Sequence, residues 1–196
     1  MLILEMLRDR AERLGERTFI VHEGRRVSYA AFARLVHRTA NALRGLGVER
    51  GDVVTVAMGN SVESLAALFG ILEAGGIYNP VNAKLGAAEL GHIVGHAAPR
   101  VVIADGGNLE AMRVLGNALP ATCRLALFGP EPMAAPQAGV TDLAAAVAAA
   151  PDTPPPVAIS AEDPSTLLYT SGTTGSPKGV LFRHGSTGAA GRHFRE

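Results

Sequence analysis

The chain has 196 residues, of which 47% are hydrophobic and 18% charged, a balance typical of a globular protein and not of a disordered one. Eighteen basic side chains balance 18 acidic ones, so no overall charge draws the chain to nucleic acid or to anionic lipid. The single cysteine, Cys123, excludes an internal disulfide and a thiolate metal cluster, and the charged N-terminal segment fits neither a signal peptide nor a transmembrane span. These features predict a cytoplasmic protein.

The first fifty residues predict a helix, a hairpin and a second helix. Residues 3–14 have the spacing of an amphipathic helix. Its inner face is expected to carry Ile3, Leu7 and Leu14. Two β-rich runs within 18–29 flank a Glu-Gly turn, which is the pattern of a hairpin. Ser28 can cap a helix that runs to about Leu46.

From residue 53 onward, strands are predicted to alternate with helices. The predicted strands cover 53–58, 77–81, 101–104 and 124–128. The first predicted helix begins after a cap at Asn60 or Ser61 and ends before Gly75. The other helices are predicted over about 87–96, near 108–118 and within 141–150. The strands are continuous apolar runs, as expected of strands buried on both faces. This alternation predicts an α/β fold with a mostly parallel sheet and helices on both of its faces.

A proline-rich stretch divides the chain. Residues 151–157 read PDTPPPV and predict a semi-rigid connector. We therefore expect a first α/β subdomain over 1–150 and another region over 158–196. In that region two predicted strands, near 166–169 and 179–182, flank a loop.

The loop between these two strands has an unusual composition. The segment YTSGTTGSPKGV, residues 169–180, contains five aliphatic hydroxyls, three glycines and one lysine, but no acidic side chain. Glycines allow backbone N–H groups to turn toward a ligand, hydroxyls add donors, and Lys178 supplies a mobile positive charge. No Asp or Glu occurs from Pro164 to Arg195. Four basic side chains fall there: Lys178, Arg183, Arg192 and Arg195. The segment therefore predicts a site for an anion.

The same segment closely resembles the phosphate-binding signature of the adenylate-forming superfamily, which includes acyl-CoA synthetases, luciferases and the adenylation domains of peptide synthetases. It differs from the usual P-loop, because Ser-Pro separates Gly175 from Lys178. Two upstream segments, LEAGGIYNPVN at 72–82 and ANALRGLGVERGDVV at 40–54, are also similar to the superfamily. The resemblance covers the chain from about Arg17 onward.

The resemblance implies a two-step ligase. A carboxylate would attack the α-phosphate of ATP to give an acyl-adenylate and pyrophosphate, and a thiol such as coenzyme A would then take the acyl group. The loop would hold the β- and γ-phosphates of Mg-ATP, and Lys178 would offset the charge on the departing pyrophosphate. Side-chain and backbone donors would come from Thr170, Ser171, Gly172, Thr173, Thr174 and Gly175. His184 matches a histidine commonly found after the signature and is an additional candidate.

The resemblance also implies that much of such an enzyme has no counterpart here. Superfamily members continue through a second subdomain and a mobile C-terminal lid, which supply the adenine contacts, the acidic magnesium ligand, the acyl pocket and a lid lysine. The only lysines in this chain are Lys84 and Lys178. We therefore expect the N-terminal part of a fatty acid–CoA ligase that is inactive alone. The Asn79-Pro80-Val81-Asn82 stretch favours the acid–CoA ligase branch, and exposed edges such as 179–182 are expected to promote self-association.

Other interpretations are weighed against this one. A truncated, non-catalytic nucleotide-binding or interaction module and a fragment of an amino-acid-activating adenylation domain both stay open. His92 and His96 have the spacing of a zinc pair, but no third ligand is apparent, so no metal site is predicted. A dinucleotide-binding domain is set aside because G-x-G-x-x-G does not follow the first strand.

Overall fold

The computed structural model describes residues 2–82, 84–115, 119–170 and 177–186. The helices are α1 (Ile3–Leu14), α2 (Tyr29–Gly45), α3 (Val62–Glu73), α4 (Ala87–Ala97), α5 (Leu109–Val114) and α6 (Leu143–Ala149). The strands are β1 (Thr18–His22), β2 (Arg25–Ser28), β3 (Val53–Ala57), β4 (Ile77–Pro80), β5 (Val101–Ala104), β6 (Arg124–Leu127), β7 (Val140–Asp142), β8 (Pro164–Thr170) and β9 (Lys178–Arg183). None of the described helices is both long enough and apolar enough to cross a bilayer.

Strands β1 and β2 form the predicted antiparallel hairpin, and the other seven form one sheet in the order β7-β6-β5-β3-β4-β8-β9. Neighbouring strands are parallel from β7 to β8, and only β9 runs antiparallel to its neighbour. Helices cover both faces of the sheet: α1, α2, α3 and α6 pack on one face, and α4 and α5 on the other. The predicted α/β fold with a mostly parallel sheet is confirmed.

Side-chain caps fix the starts of three helices. The hydroxyl of Ser28 accepts a hydrogen bond from the backbone of Ala31 at the start of α2. Ser61 does the same at the start of α3, and Asp142 at the start of α6. Each cap satisfies a helix N–H group that lacks an intrahelical partner.

A buried ionic group joins α1, α2 and α3, three of the four helices on the first face of the sheet. Glu73 is 2% exposed. Its carboxylate binds a guanidinium N–H of Arg8 at 2.8 Å and Nδ1 of His37 at 2.7 Å. Because removing one partner would leave a buried charge unpaired, this group fixes the positions of α1, α2 and α3 relative to one another.

The structure corrects four details of the sequence-based predictions. On α1 the buried residues are Leu4 and Leu7, because the inner face is rotated from the one predicted through Ile3 and Leu14. Helix α5 is shorter than the predicted 108–118; positions 116–118 lie outside the described residues. Strand β7 was not predicted, since its three residues precede a helix cap without an apolar run.

The fourth correction concerns the proline-rich connector. We expected residues 151–157 to lead from the first sheet to another region. In the structure, the chain returns from β7 at one edge of the sheet to β8, which pairs with β4 in the same sheet. The Asn41 side-chain amide donates to the carbonyls of Pro151 and Thr153 at 3.0 and 2.8 Å, so the connector is held against α2.

Candidate functional site

The candidate loop joins two strands that pair with each other. Strand β8 ends at Thr170, and β9 begins at Lys178, and these two residues are register partners in the antiparallel ladder. Directly opposed residues in such a ladder point to the same face, with Cβ atoms about 4.5–5.5 Å apart. The two side chains therefore leave the same face of the ladder where β8 ends and β9 begins, and both residues are exposed.

The described residues that flank the loop, Thr170 and Lys178, lie at the carboxyl edge of the parallel sheet. Because β8 is parallel to β4, Thr170 is at the same edge as the end of β4. Ligands of open α/β sheets bind at this edge. The crevice between the ends of β3 and β5 is already occupied by Asp105, whose carboxylate accepts from the Gly59 N–H at 2.6 Å and from the Asn108 N–H at 2.9 Å. Strand β8, which leads into the hydroxyl-rich segment, instead lies next to β4, on the other side of β3 from β5.

A cleft of about 320 Å³ opens beside the loop. Tyr169 and Pro177, which flank the loop, form one wall, and Pro80 at the end of β4 and Ile93 of α4 form another. Glu89 is the acidic residue of this lining. The residues on either side of the loop therefore line a cleft whose other walls come from β4 and α4.

The glycine that follows Lys178 has a packing role. Gly179 is the register partner of Tyr169. A Cβ atom at Gly179 would lie 3.1 Å from Leu167 Cδ1 and 3.4 Å from the Tyr169 ring. A Cβ atom would thus be in ordinary contact with the tyrosine ring and slightly too close to the Leu167 methyl, so a larger residue would require Leu167 to shift.

A buried amide connects three strands below the loop. Asn79 is fully buried. Its Oδ1 accepts from the Thr55 hydroxyl of β3 at 2.8 Å, and its Nδ2 donates to the Leu167 carbonyl of β8 at 2.8 Å. Since Asn79 lies in β4, its side chain connects the strands on either side. From the sequence, Asn79 served only to favour the acid–CoA ligase branch; a polar residue in the apolar run IYNPV was the signal that could have revealed this contact.

A second polar contact holds the last turn of α4 against β8. His96 Nδ1 and the Tyr169 hydroxyl are 2.6 Å apart. Burial raises the pKa of Tyr169, so the phenol stays protonated at neutral pH. The rings of His92 and His96 stack with centroids 6.2 Å apart. The two histidines first considered as a zinc pair thus contact each other, and His96 also contacts Tyr169.

The far end of the hairpin is fixed by Asp163. The Arg50 guanidinium, at 2.5 Å, lowers the pKa of Asp163 to about 2, with a further contribution from the Ser160 N–H. The Asp163 carbonyl accepts from the His184 N–H at 3.0 Å. His184 itself is 1% exposed, its burial lowers its pKa, and its Nδ1 has no hydrogen-bond partner among the described residues.

The structure thus brings only some of the predicted site residues together. Thr170 and Lys178 come together at the carboxyl edge, whereas the buried His184 follows the opposite end of β9. Ser171, Gly172, Thr173, Thr174 and Gly175 lie outside the described residues. Within the described ranges, no group of three or more His, Cys, Asp or Glu side chains could hold a metal ion.

Comparison with known proteins identifies relatives of the whole chain. The family described as "AMP-binding enzyme" matches residues 7–195. A feruloyl-CoA synthase from an Amycolatopsis species is 34% identical over 90% of this chain and 32% of the relative. A long-chain-fatty-acid–CoA ligase from Mycobacterium tuberculosis is 31% identical over 84% of this chain and 31% of the relative.

A solved structure agrees with these relatives. The anthranilate CoA ligase AuaEII, in complex with anthranoyl-AMP, superposes with a TM-score of 0.85 and 26% identity, over 94% of this chain and 35% of that chain. The chain thus spans about a third of the length of the proteins it matches. The fold, the signature and the match over residues 7–195 agree, and the chain belongs to the AMP-binding enzyme family.

Proposed function

We propose that this chain is the phosphate-binding part of an ATP-dependent carboxylic acid–CoA ligase. One observation carries the proposal. Thr170 and Lys178, which lie on either side of the glycine- and hydroxyl-rich segment, are register partners, and both are exposed at the carboxyl edge of the sheet. Family membership and the names of the matched relatives, which are CoA ligases or synthases, support the same function.

The chain's own residues would bind and orient the triphosphate. Lys178 forms no ion pair with any described residue, so its charge is available to phosphate oxygens. It would stabilise the negative charge that grows on the leaving pyrophosphate. The Thr170 hydroxyl would donate to a phosphate oxygen, and donors from 171–175 would complete the set, as expected from the sequence. Mg²⁺ would bind together with the triphosphate. Its protein ligands would come from parts of the complete enzyme that correspond to the unmatched two thirds of the relatives.

The ligase reaction is proposed for the whole enzyme and not for these residues alone. Since the match covers about a third of each relative, we propose that adenylation by this chain alone is negligible. ATP and coenzyme A as co-substrates favour a cytoplasmic enzyme. A pyrophosphate-release assay over a panel of carboxylic acids tests the point, and robust turnover would contradict it.

Two classes of carboxylic acid are candidate substrates of the complete enzyme. The sequence-based prediction of a fatty acid is supported by the name of one relative, whereas the feruloyl-CoA synthase points to aromatic acids. A panel containing both classes, assayed with the complete enzyme, distinguishes them. A non-catalytic nucleotide-binding module is the second candidate, because the described geometry concerns phosphate binding only.

The direct test is ATP binding by the chain with Lys178→Ala. We expect weak binding of Mg-ATP and of tripolyphosphate by the unmodified chain. Loss of a charged hydrogen-bond donor should weaken it roughly 10- to 100-fold, measured by isothermal titration at low salt. Arg124→Ala is the control, since it removes one exposed positive charge at the start of β6, at the amino edge of the sheet. Equal losses in the two variants, or no binding by the unmodified chain, would contradict a phosphate site at the loop.

A further inference from the structure

Strand β8, which leads into the loop, has few backbone links to the sheet. Strands β3 and β4 share four register pairs, from Val53↔Ile77 to Val56↔Pro80. Between β4 and β8 the described residues form a single pair, Tyr78↔Thr166. The backbone ladder alone therefore leaves the last residues of β8 weakly located relative to the carboxyl edge.

Two side-chain contacts act on those last residues. The Asn79 amide donates to the Leu167 carbonyl at 2.8 Å, and His96 Nδ1 meets the Tyr169 hydroxyl at 2.6 Å. One contact comes from β4 within the sheet, and the other from α4 on one of its faces. Together they fix the position of β8 both within the sheet and relative to α4. Both contacts act no more than three residues from Thr170.

The Asn79 contact has a fixed orientation. The amide oxygen accepts from Thr55 while the amide nitrogen donates to Leu167. Rotating the amide by half a turn would place two acceptors together at Leu167, and this side chain is fully buried. Because an unsatisfied buried polar group is costly, Asn79 holds β8 at a single distance from β3 and β4.

The His96 contact is at the surface and adjoins the loop directly. Tyr169 immediately precedes Thr170, and its ring lies over the backbone of Gly179 on β9. The Tyr169 ring therefore packs against β9 as well as against α4. His92, on the same helix, stacks on His96 but makes no described hydrogen bond with Tyr169.

We propose that Asn79 and the His96–Tyr169 pair are positioning residues for the phosphate-binding loop: they determine where β8 delivers Thr170 and, through the ladder, Lys178. The proposal rests on the proposed function for its effect on phosphate. None of the three side chains needs to touch the ligand. Small displacements of binding groups weaken binding strongly, so the effect should appear in affinity while the fold is retained.

A double-mutant cycle on the surface pair is the first test. His96→Ala and Tyr169→Phe should each weaken binding of ATP and of tripolyphosphate roughly three- to tenfold, with unchanged melting temperature. Because they break one contact, the double variant should bind no more weakly than the weaker single variant. His96→Gln, which can still hydrogen-bond to the phenol, should restore most of the affinity, and His92→Ala should change nothing. Additive losses, or an equal loss in His92→Ala, would overturn the proposal.

A second measurement separates this proposal from the proposed function. Hydrogen exchange of the amides in β8 and β9 is followed in the unmodified chain, in His96→Ala and in Asn79→Asp, which is nearly isosteric but places a carboxylate against the Leu167 carbonyl. Faster exchange confined to 167–170 and 178–181 is expected in both variants, even if the chain binds no ATP. Faster exchange in both variants, together with no ATP binding by the unmodified chain, would refute the phosphate site and support the positioning role. Unchanged exchange in His96→Ala would overturn the positioning role whether or not ATP binds.

Discussion

At the scale of single residues, His184 shows how a motif residue can serve the fold. Its side chain is 1% exposed, and it follows the end of β9 opposite to Lys178. Burial disfavours the charged imidazolium and lowers the pKa of His184, although the Asp163 carboxylate partly opposes this effect. The neutral ring is therefore the form that the folded chain accepts.

This burial predicts a pH-dependent stability. Because the pKa of His184 is lower in the folded state than the ordinary value of 6.5, the unfolded chain takes up the proton first as the pH falls. Stability should therefore be complete above about pH 6.5 and decline below it. Thermal melting between pH 7.5 and 5 should show a shallower decline for His184→Gln than for the unmodified chain. His92→Gln, at an exposed position, should keep the original slope, and parallel curves for all three proteins would contradict the assignment.

The candidate site was only partly predictable from single residues. The composition of 169–180 predicts an anion site, because hydroxyls, glycines and a lysine without acids have few other uses. The roles of Asn79 and His96 could not be predicted, since their partners Leu167 and Tyr169 are 88 and 73 residues away in sequence. No local pattern specifies contacts of that range.

At the scale of elements, helices α2 and α3 make an unusually close contact. A Cβ atom at Gly70 would lie 2.6 Å from Thr39 Cγ2 and 2.8 Å from Thr39 Cβ. Thr39 is fully buried, and its hydroxyl donates to the Leu35 carbonyl at 2.8 Å. Thr39 is therefore held in place and cannot easily yield to a larger neighbour.

Gly70→Ala should consequently destabilise the chain. Overpacking of this kind costs about 1–3 kcal/mol, which outweighs the gain of about 0.5–1 kcal/mol from replacing a helical glycine by alanine. Gly45→Ala is the matched control, since Gly45 ends helix α2 and has open space around it. Urea unfolding should show a lower midpoint for Gly70→Ala and an equal or higher one for Gly45→Ala. A stabilised Gly70→Ala would show that the two helices separate readily.

Most elements could be predicted because their signals are local. Caps such as Ser28 and Ser61, the Glu-Gly turn and the apolar strands define boundaries within a few residues. Strand β7 was missed because its three residues are half-buried and form a strand only through pairing with β6. The return of the chain to β8 was missed for a similar reason: the pairing partner of a strand is set by packing, and a proline-rich connector carries no information about it.

At the scale of the whole molecule, the sheet has two unlike edges. The β7 edge is short, whereas β9 at the other edge is exposed along its whole length. Its apolar side chains Val180, Leu181 and Phe182 are 43%, 55% and 39% exposed. Among the described residues, no strand pairs with the outer side of β9. An exposed apolar edge of this kind is a site of strand-to-strand association.

The chain as described should therefore self-associate through β9. Sedimentation velocity over a range of concentrations should show oligomers or aggregates that increase with concentration. Leu181→Lys, which places a charge on the edge, should shift the distribution toward monomer, because edge lysines disfavour pairing between chains. Val114→Lys is the control: Val114 is 68% exposed but lies on the short helix α5, which packs against β5 and β6, several strands from β9. A monomeric unmodified chain at all concentrations, or an equal effect of both lysine variants, would contradict association through β9.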